Sequence, residues 1–515
     1  MIASIVNKND IRIYRILEMV PGLLTWIFLT SPIWLGIFQP QAIVYVLTFL
    51  TVYWSFLAFR HTYGLFVGYR NYVKDMAINW AEECKKLNFS ALPDKATLPS
   101  SLEDIRHFVL VPAVSEPESV LRGCIESLLN QTFPSKQTVL VISVEERGAD
   151  VIIPCVETIL QGRKNQFHKV LIYTHPAGIV GEAIGVAGAN RTWGAKHAVA
   201  ELKSLGENLR NYIFSTFDSD HVLNPQFLSR LTHLYLTTDR RDNHYYSTAV
   251  HLFNNNLWRV PMLMRIEANA VTLGSLSDWG VTSGSEKDTF AAYSMSLQTL
   301  MDADYWDVQL GVDDTIVYWR AYFARNGDFE GKPHYIPYSA DAVEGKNFLD
   351  SHIALYKQLL RWGWGTIDFP LSVKEFMRNG KIPMVKKLKW MIKHFQKRVI
   401  LVNMVFLITF GFSLVTMVNP YVKQSNFAYS LPDIMSAILT VTLVCLIPGA
   451  YFRIKLSSEM PKNWHFIRKL FTVVFEGPLI MLNLLTYSFF PWVEAQTRML
   501  LGKRMKDLYH TPKRG

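Results

Sequence analysis

The sequence predicts an α/β domain with a mainly parallel sheet, inserted between N- and C-terminal α-helical segments that cross a membrane. Three observations predict it. Long apolar runs sit at the two ends of the chain, short apolar strands alternate with amphipathic stretches in the middle, and acidic residues fall where such strands end.

At 515 residues the chain has room for a soluble core and a membrane part, and half of its residues are hydrophobic. Apolar runs lie at about Leu17–Phe38, Gln41–Phe59, 399–418, 432–452 and 470–491. Each is long enough for a hydrocarbon core of ~30 Å. Five such runs are hard to bury in one globule. The first is too long for a signal h-region, lacks a clear cleavage site and leads directly into the second. Lys8, Arg12 and Arg15 precede it, which sets the N-terminus, and the middle of the chain after two spans, in the cytoplasm. Arg453, Lys455, Lys462, Arg468 and Lys469 mark a later cytoplasmic loop, and the basic tail also prefers the inside. Glu476-Gly477-Pro478 interrupts the last run, as a re-entrant or broken segment would. The expected organisation is two transmembrane helices in 1–70, a cytoplasmic α/β domain in 71–370, amphipathic interface helices in 371–398 and a membrane region with a basic tail in 399–515. The expected site is a multi-pass protein of the plasma membrane.

The net charge of +10 reads as positive-inside bias and attraction to anionic lipid. No basic stripe with interleaved aromatics suggests nucleic acid. Cys84, Cys124, Cys155 and Cys445 are scattered, which fits a reducing compartment and no zinc site.

In the middle, His107–Val114, Thr138–Val144, Lys169–Thr174 and Asn211–Phe217 read as strands. After the first, Ser115 and Glu118 suggest a capping box with Pro117 in the first helical turn. In parallel sheets, ligands bind beyond the carboxyl ends of the strands. Asp218 and Asp220 follow the fourth strand at once, and alternation puts both side chains on one side. Such a pair suits Mg²⁺ or Mn²⁺, although Asp-Ser-Asp before Asn224-Pro225 is also ordinary turn chemistry. Asp313-Asp314 reads as a loop entering a helix, as a base or as two acids complementing a helix dipole. In Gln358-Leu359-Leu360-Arg361-Trp362, positions 358, 361 and 362 share a helix face. They suit a departing diphosphate and a sugar ring, or an interfacial helix. From Val373 to Arg398, apolar residues mixed with Lys and Arg read as interface helices.

In these motifs the chain resembles the family 2 glycosyltransferases of GT-A (Rossmann-like) fold. Its likeness is to their membrane-embedded branch, which includes cellulose and hyaluronan synthases and ceramide glucosyltransferase. Val111-Pro112-Ala113-Val114-Ser115-Glu116 is similar to the family's P-A-Y-N-E signature, with Val114 and Ser115 in place of Tyr and Asn. Glu126–Pro134 resembles E-S-L-L-x-Q-x-Y-P, and Gln358–Trp362 is the Q-x-x-R-W motif. The resemblance implies that Ala113 and Glu116 lie near the nucleoside of a nucleotide-diphosphate sugar, with a UDP-sugar the expected donor. Glu145 stands where the family has an Asp that contacts the base. Lys196, in Gly194-Ala195-Lys196-His197-Ala198, looks like the donor-side lysine of G-K-A-x-A-L-N with slipped spacing. Asp313-Asp314 resembles the Glu-Asp motif, which makes Asp314 the general base.

The expected reaction is inverting transfer, with Asp218 and Asp220 holding Mg²⁺ or Mn²⁺, Asp314 taking the acceptor proton, and Gln358, Arg361 and Trp362 closing the site. The acceptor is a growing polysaccharide, exported through the spans, or a lipid of ceramide or polyprenyl-phosphate type taking one sugar. A membrane scaffold with a degenerate transferase domain is the third reading, against which the intact acids argue.

Overall fold

The computed structural model describes residues 8–183, 185–503 and Thr511. The tail residues Arg504, Lys506, Lys513 and Arg514 lie outside them. The chain divides into a helical unit, Met1–Phe66 with Leu355–Lys506, and an α/β unit, Val67–Ala354 with Asp507–Gly515.

In the α/β unit the four expected strands form: β1 (Arg106–Ala113), β2 (Thr138–Glu145), β3 (Lys169–His175) and β4 (Tyr212–Thr216). They lie side by side as β3-β2-β1-β4, all parallel. Phe108 to Val111 and Val139 to Ile142 are sealed from solvent, as strands covered on both faces must be. Further strands are β5 (Val222–Leu223), β6 (His244–Thr248), β7 (His251–Leu252), β8 (Tyr293–Ser296), β9 (Glu330–His334) and β10 (Tyr338–Ser339). The sheet continues beyond β4 through β8, β6 and β9, with β8 antiparallel to both its neighbours. A small second sheet runs β5-β10-β7.

The helix after β1 starts later than the capping-box reading expects. It covers Glu118–Leu129, with Pro117 extended at its N-cap and no side-chain cap. Proline restricts the residue before it to extended backbone, so a helix cannot enter through Glu116. The Glu116 carboxylate instead accepts the N–H groups of Val114 (2.7 Å) and Ser115 (3.1 Å), fixing the turn at the end of β1.

Among the described residues, four helices are long and apolar enough to cross a membrane: Pro40–Ala77, Met384–Val418, Ser430–Leu456 and Phe466–Leu500. A bent pair, Asp10–Leu29 with Ser31–Phe38, turns by 55°. The 55° bend falls in the first apolar run; in the last run Glu476-Gly477-Pro478 lies inside the helical stretch Phe466–Leu485, and a turn at 486–489 separates it from Phe490–Leu500. Glu476 is buried there, 2.5 Å from Arg453 on Leu446–Leu456. That partner accounts for a carboxylate inside an apolar helix.

Candidate functional site

The site builds from the carboxyl ends of the parallel strands. Ala113 ends β1, Glu145 ends β2, and Asp218 follows β4 by two residues. A helix of residues Ala187–Ser204 packs closely across this region. At Gly188 a Cβ would meet the Asp307 carbonyl at 2.6 Å and the Asp313 Cβ at 3.0 Å; at Gly194 it would meet Ser143 at 2.6 Å. Ser143 also donates to the Asn190 carbonyl at 2.8 Å, and the Asn190 amide donates to the Ser143 carbonyl at 2.9 Å. Glycine at those two positions and the Asn190–Ser143 clasp hold this helix tight against the sheet.

Between them lies Arg191, 4% exposed. Its guanidinium donates to Asp218 Oδ1 at 2.6 Å, to Asp314 Oδ1 at 3.3 Å and to Asp313. Burial opposes its charge, yet Asp313, Asp314 and Asp218 together hold its pKa well above the usual value. Asp313 and Asp314 open the helix Asp313–Ala324, where the dipole favours acids. The two differ in access: the Asp313 side chain is 11% exposed and that of Asp314 is 31% exposed.

Asp220 is buried. Its Oδ2 accepts the Asp341 N–H at 2.9 Å, and its backbone carbonyl accepts the Asn255 amide, also at 2.9 Å. Asn255 further donates to Asp341 Oδ1 at 3.0 Å, so the loop after β10 is fastened to the loop after β4. Asp218, Asp220 and His221 bring one ligand atom each within 4.8 Å of one another. Asp218, Asp313 and Asp314 meet on the one Arg191 guanidinium, and Asp220 stands beside Asp218 in the group with His221, an acidic cluster of the kind a hard divalent cation binds. The residues fit Mg²⁺ or Mn²⁺. The His221 Nδ1 accepts the Asp218 N–H at 3.2 Å, so a neutral ring carries its proton on Nε2 and has no lone pair to give. In this arrangement the carboxylates would be the ligands of a cation, and His221 holds the backbone of Asp218.

The Tyr338 ring lies 4.2 Å from that of His221, tilted by 32°, and its hydroxyl shares a 2.7 Å hydrogen bond with His251 Nδ1. Burial first, and then Asp218, Asp220 and Asp314, hold the Tyr338 pKa well above the phenol value. Burial, with His221 and Lys287 adding to it, pushes His251 down to about 3. Both therefore stay neutral beside the acids.

The structure thus brings Asp218, Asp220, Asp313 and Asp314 together. Glu116 holds the turn after β1, and Glu145 pairs with Arg147 at 2.7 Å. Lys196 is half-exposed, 3.5 Å from Asp304 and stacked over Tyr305. Gln358, Arg361 and Trp362 lie on the helix Phe348–Gly363, in the part that belongs to the helical unit. Arg361 makes no ion pair among the described residues, and its Nε is buried without a hydrogen-bond partner. Arg191, His221, Asn255, Tyr338 and Asp341 are additions that the motifs alone do not supply. One local signal points to His221, which directly follows the Asp-Ser-Asp; the other four have partners that only folding brings near.

No family model matches the chain, and no curated protein matches it. Among solved structures it is similar to the mannosyltransferase PcManGT from Pyrobaculum calidifontis in complex with GDP-Man and Mn2+, at 14% identity and TM-score 0.41, over 80% of this chain and 98% of that one. It is also similar to S. aureus TarS 1-349 in complex with UDP-GlcNAc, at 10% identity and TM-score 0.32, over 78% of this chain and 93% of that one. At such TM-scores neither likeness assigns an activity to this chain.

Proposed function

We propose that this protein is a membrane-bound inverting glycosyltransferase that moves a sugar from a nucleotide-diphosphate sugar to a growing polysaccharide. The observation that carries the reading is the convergence of Asp218, Asp313 and Asp314 on Arg191, with Asp220 beside Asp218, beyond the carboxyl ends of parallel strands. A site rich in carboxylates beside a nucleophile's path suits the handling of a diphosphate and a hydroxyl proton.

Asp218 and Asp220 would hold Mg²⁺ or Mn²⁺, which offsets charge on the departing diphosphate. Asp314 is the more accessible of the two helix-start acids, and Arg191 engages its Oδ1. Its carboxylate takes the acceptor hydroxyl proton as that oxygen bonds to the anomeric carbon. The bond from the anomeric carbon to the diphosphate oxygen breaks, and the nucleoside diphosphate leaves with the electron pair. Asp313, sealed beneath Arg191, fixes the guanidinium. Arg361, which makes no ion pair among the described residues, is assigned to the diphosphate, and Trp362 to a sugar ring.

The membrane reading rests on apolar side chains left open on the helices. Ile447 is 71% exposed and Ile467 is 78% exposed, which water disfavours and lipid accepts. On Met384–Phe395, the residues Met384, Val385, Leu388, Met391, Ile392 and Phe395 form one exposed apolar face, with lysines between them. That pattern suits a helix lying in the bilayer surface, on the cytoplasmic side by the positive-inside rule.

The test is a panel of nucleotide-sugars with Mn²⁺ or Mg²⁺, scored for nucleotide release and product size. A ladder of products supports polymer synthesis. A single glycolipid product would replace it with one-step transfer to a lipid. No nucleotide release with any donor would remove the transferase reading.

A further inference from the structure

The helical unit contains an open groove of about 590 Å³ that the sugar-transfer reading does not use. Its floor is helical: Trp26 lies on Lys8–Leu29, Tyr356 on Phe348–Gly363 and Phe490 on Phe490–Leu500. The polar groups of the wall are already engaged. Tyr356 donates to Glu494 Oε2 at 2.5 Å, Arg498 pairs with Glu494 Oε1, and the Trp26 indole N–H donates to Thr497 at 2.9 Å.

The apolar parts are open. Trp26, Phe490 and Leu501 are 39%, 51% and 62% exposed. At the end of the groove stand Arg498 and Lys503 against the one carboxylate of Glu494, and Lys503 makes no ion pair among the described residues. Along the Phe490–Leu500 helix the lining runs from Phe490 and Val493 through Glu494 and Thr497 to Arg498, with Leu501 and Lys503 just beyond, so the groove is apolar at one end and cationic at the other. That end lies where the long Phe466–Leu500 helix stops. Basic side chains and a tryptophan at the end of a membrane-length helix sit at headgroup depth.

The groove also stands apart from the Gln–Arg–Trp face. At 100° per residue, Tyr356 and Gly363 share one side of their helix, and Gly363 packs against Ala495. Gln358, Arg361 and Trp362 fall on the opposite side. A molecule in the groove would therefore not present its head to those residues.

The geometry points to a binding site for one anionic phospholipid, separate from the sugar acceptor. Its charged head lies between Arg498 and Lys503, and an acyl chain runs over Trp26, Phe490 and Leu501. The assignment rests on the membrane reading of the helical unit and is independent of which reaction the chain performs.

The test reconstitutes the full chain in phosphatidylcholine nanodiscs containing a minority of phosphatidylglycerol, exchanges it into detergent, and measures retained lipid per protein by mass spectrometry. Phosphatidylglycerol should be retained over phosphatidylcholine. The R498Q/K503Q variant should retain it about tenfold less, K503Q should fall between, and K462Q, which removes an exposed charge elsewhere, should match the parent. Soluble glycerol phosphate should not compete. Equal loss in K462Q, equal retention of phosphatidylcholine, retention unchanged in R498Q/K503Q, or displacement by glycerol phosphate would each overturn the site. Release of the chain from membranes by alkaline carbonate would instead remove the membrane reading beneath it.

Discussion

Asp313 and Asp314 are adjacent and chemically identical, yet their surroundings give them different work. Asp314 is the more open, while Asp313 is closed under Arg191. Replacing Asp314 with Asn should lower turnover by about 10²–10⁴-fold while nucleotide-sugar binding persists, because only the proton acceptor is lost. Steady-state rates beside binding isotherms would check it, and unchanged turnover would exclude Asp314 as the base. Replacing Arg191 with Gln leaves several acids without their cation. It should destabilise the α/β unit by about 3–5 kcal/mol, read as a lower thermal midpoint, along with loss of transfer. An unaltered midpoint would mean that Arg191 does not hold the acids together. The acids were legible in the sequence because each pair is local and stands out by charge at a strand end or helix start. Arg191 was not, since its partners lie 27, 122 and 123 residues away and only folding brings them near.

The same division between local and distant information holds for elements. β1 to β4 were readable as apolar runs, whereas β6 (His-Tyr-Tyr-Ser-Thr) and β8 (Tyr-Ser-Met-Ser) carry no such run and gain their burial from neighbours. The capping box after β1 failed because Pro117 controls the residue before it, a constraint stronger than a serine hydroxyl. Close packing of the Ala187–Ser204 helix makes a further expectation. Gly188→Ala would drive a methyl against the Asp307 carbonyl and Asp313, shifting Arg191. Transfer should fall with a modest loss of midpoint, whereas Gly274→Ala, inside the helix Met262–Val281 with open space around it, should leave transfer and midpoint intact. Equal effects would show that the tight approach is unimportant. His107 on β1 adds a pH dependence. Burial pushes it down to about 3 from 6.5, and its Nε2 bonds Thr232 at 2.7 Å. Above 6.5 both folded and unfolded chains carry it neutral, so its contribution is fully present there. As pH falls from 6.5 towards 3 the unfolded chain takes a proton that the folded one refuses, and stability declines. Thermal midpoints measured down this range should fall less steeply for His107→Gln than for the parent; parallel slopes would contradict the assignment.

For the molecule as a whole, the apolar runs gave helices long and apolar enough to cross a membrane, because composition alone reveals surface that water would not tolerate. What composition did not reveal was where the helices break. Glu476 and Pro478 suggested an interruption, but Arg453 supplies the carboxylate with a partner within the same unit, and the helix continues. The chain should remain with the membrane after alkaline carbonate extraction, and its appearance in the supernatant would refute the proposal that these helices cross a bilayer. The Gln358–Trp362 motif stands in the helical unit and the acids in the α/β unit, so a complete account needs both in one active protein. The most direct measurement of the central claim is nucleotide release by the purified full-length chain, supplied with a panel of nucleotide-diphosphate sugars and Mn²⁺ or Mg²⁺. Metal-dependent release with at least one donor is expected, abolished in Asp220→Asn and in Asp314→Asn. Release that persists in both variants, or none with any donor, would contradict it.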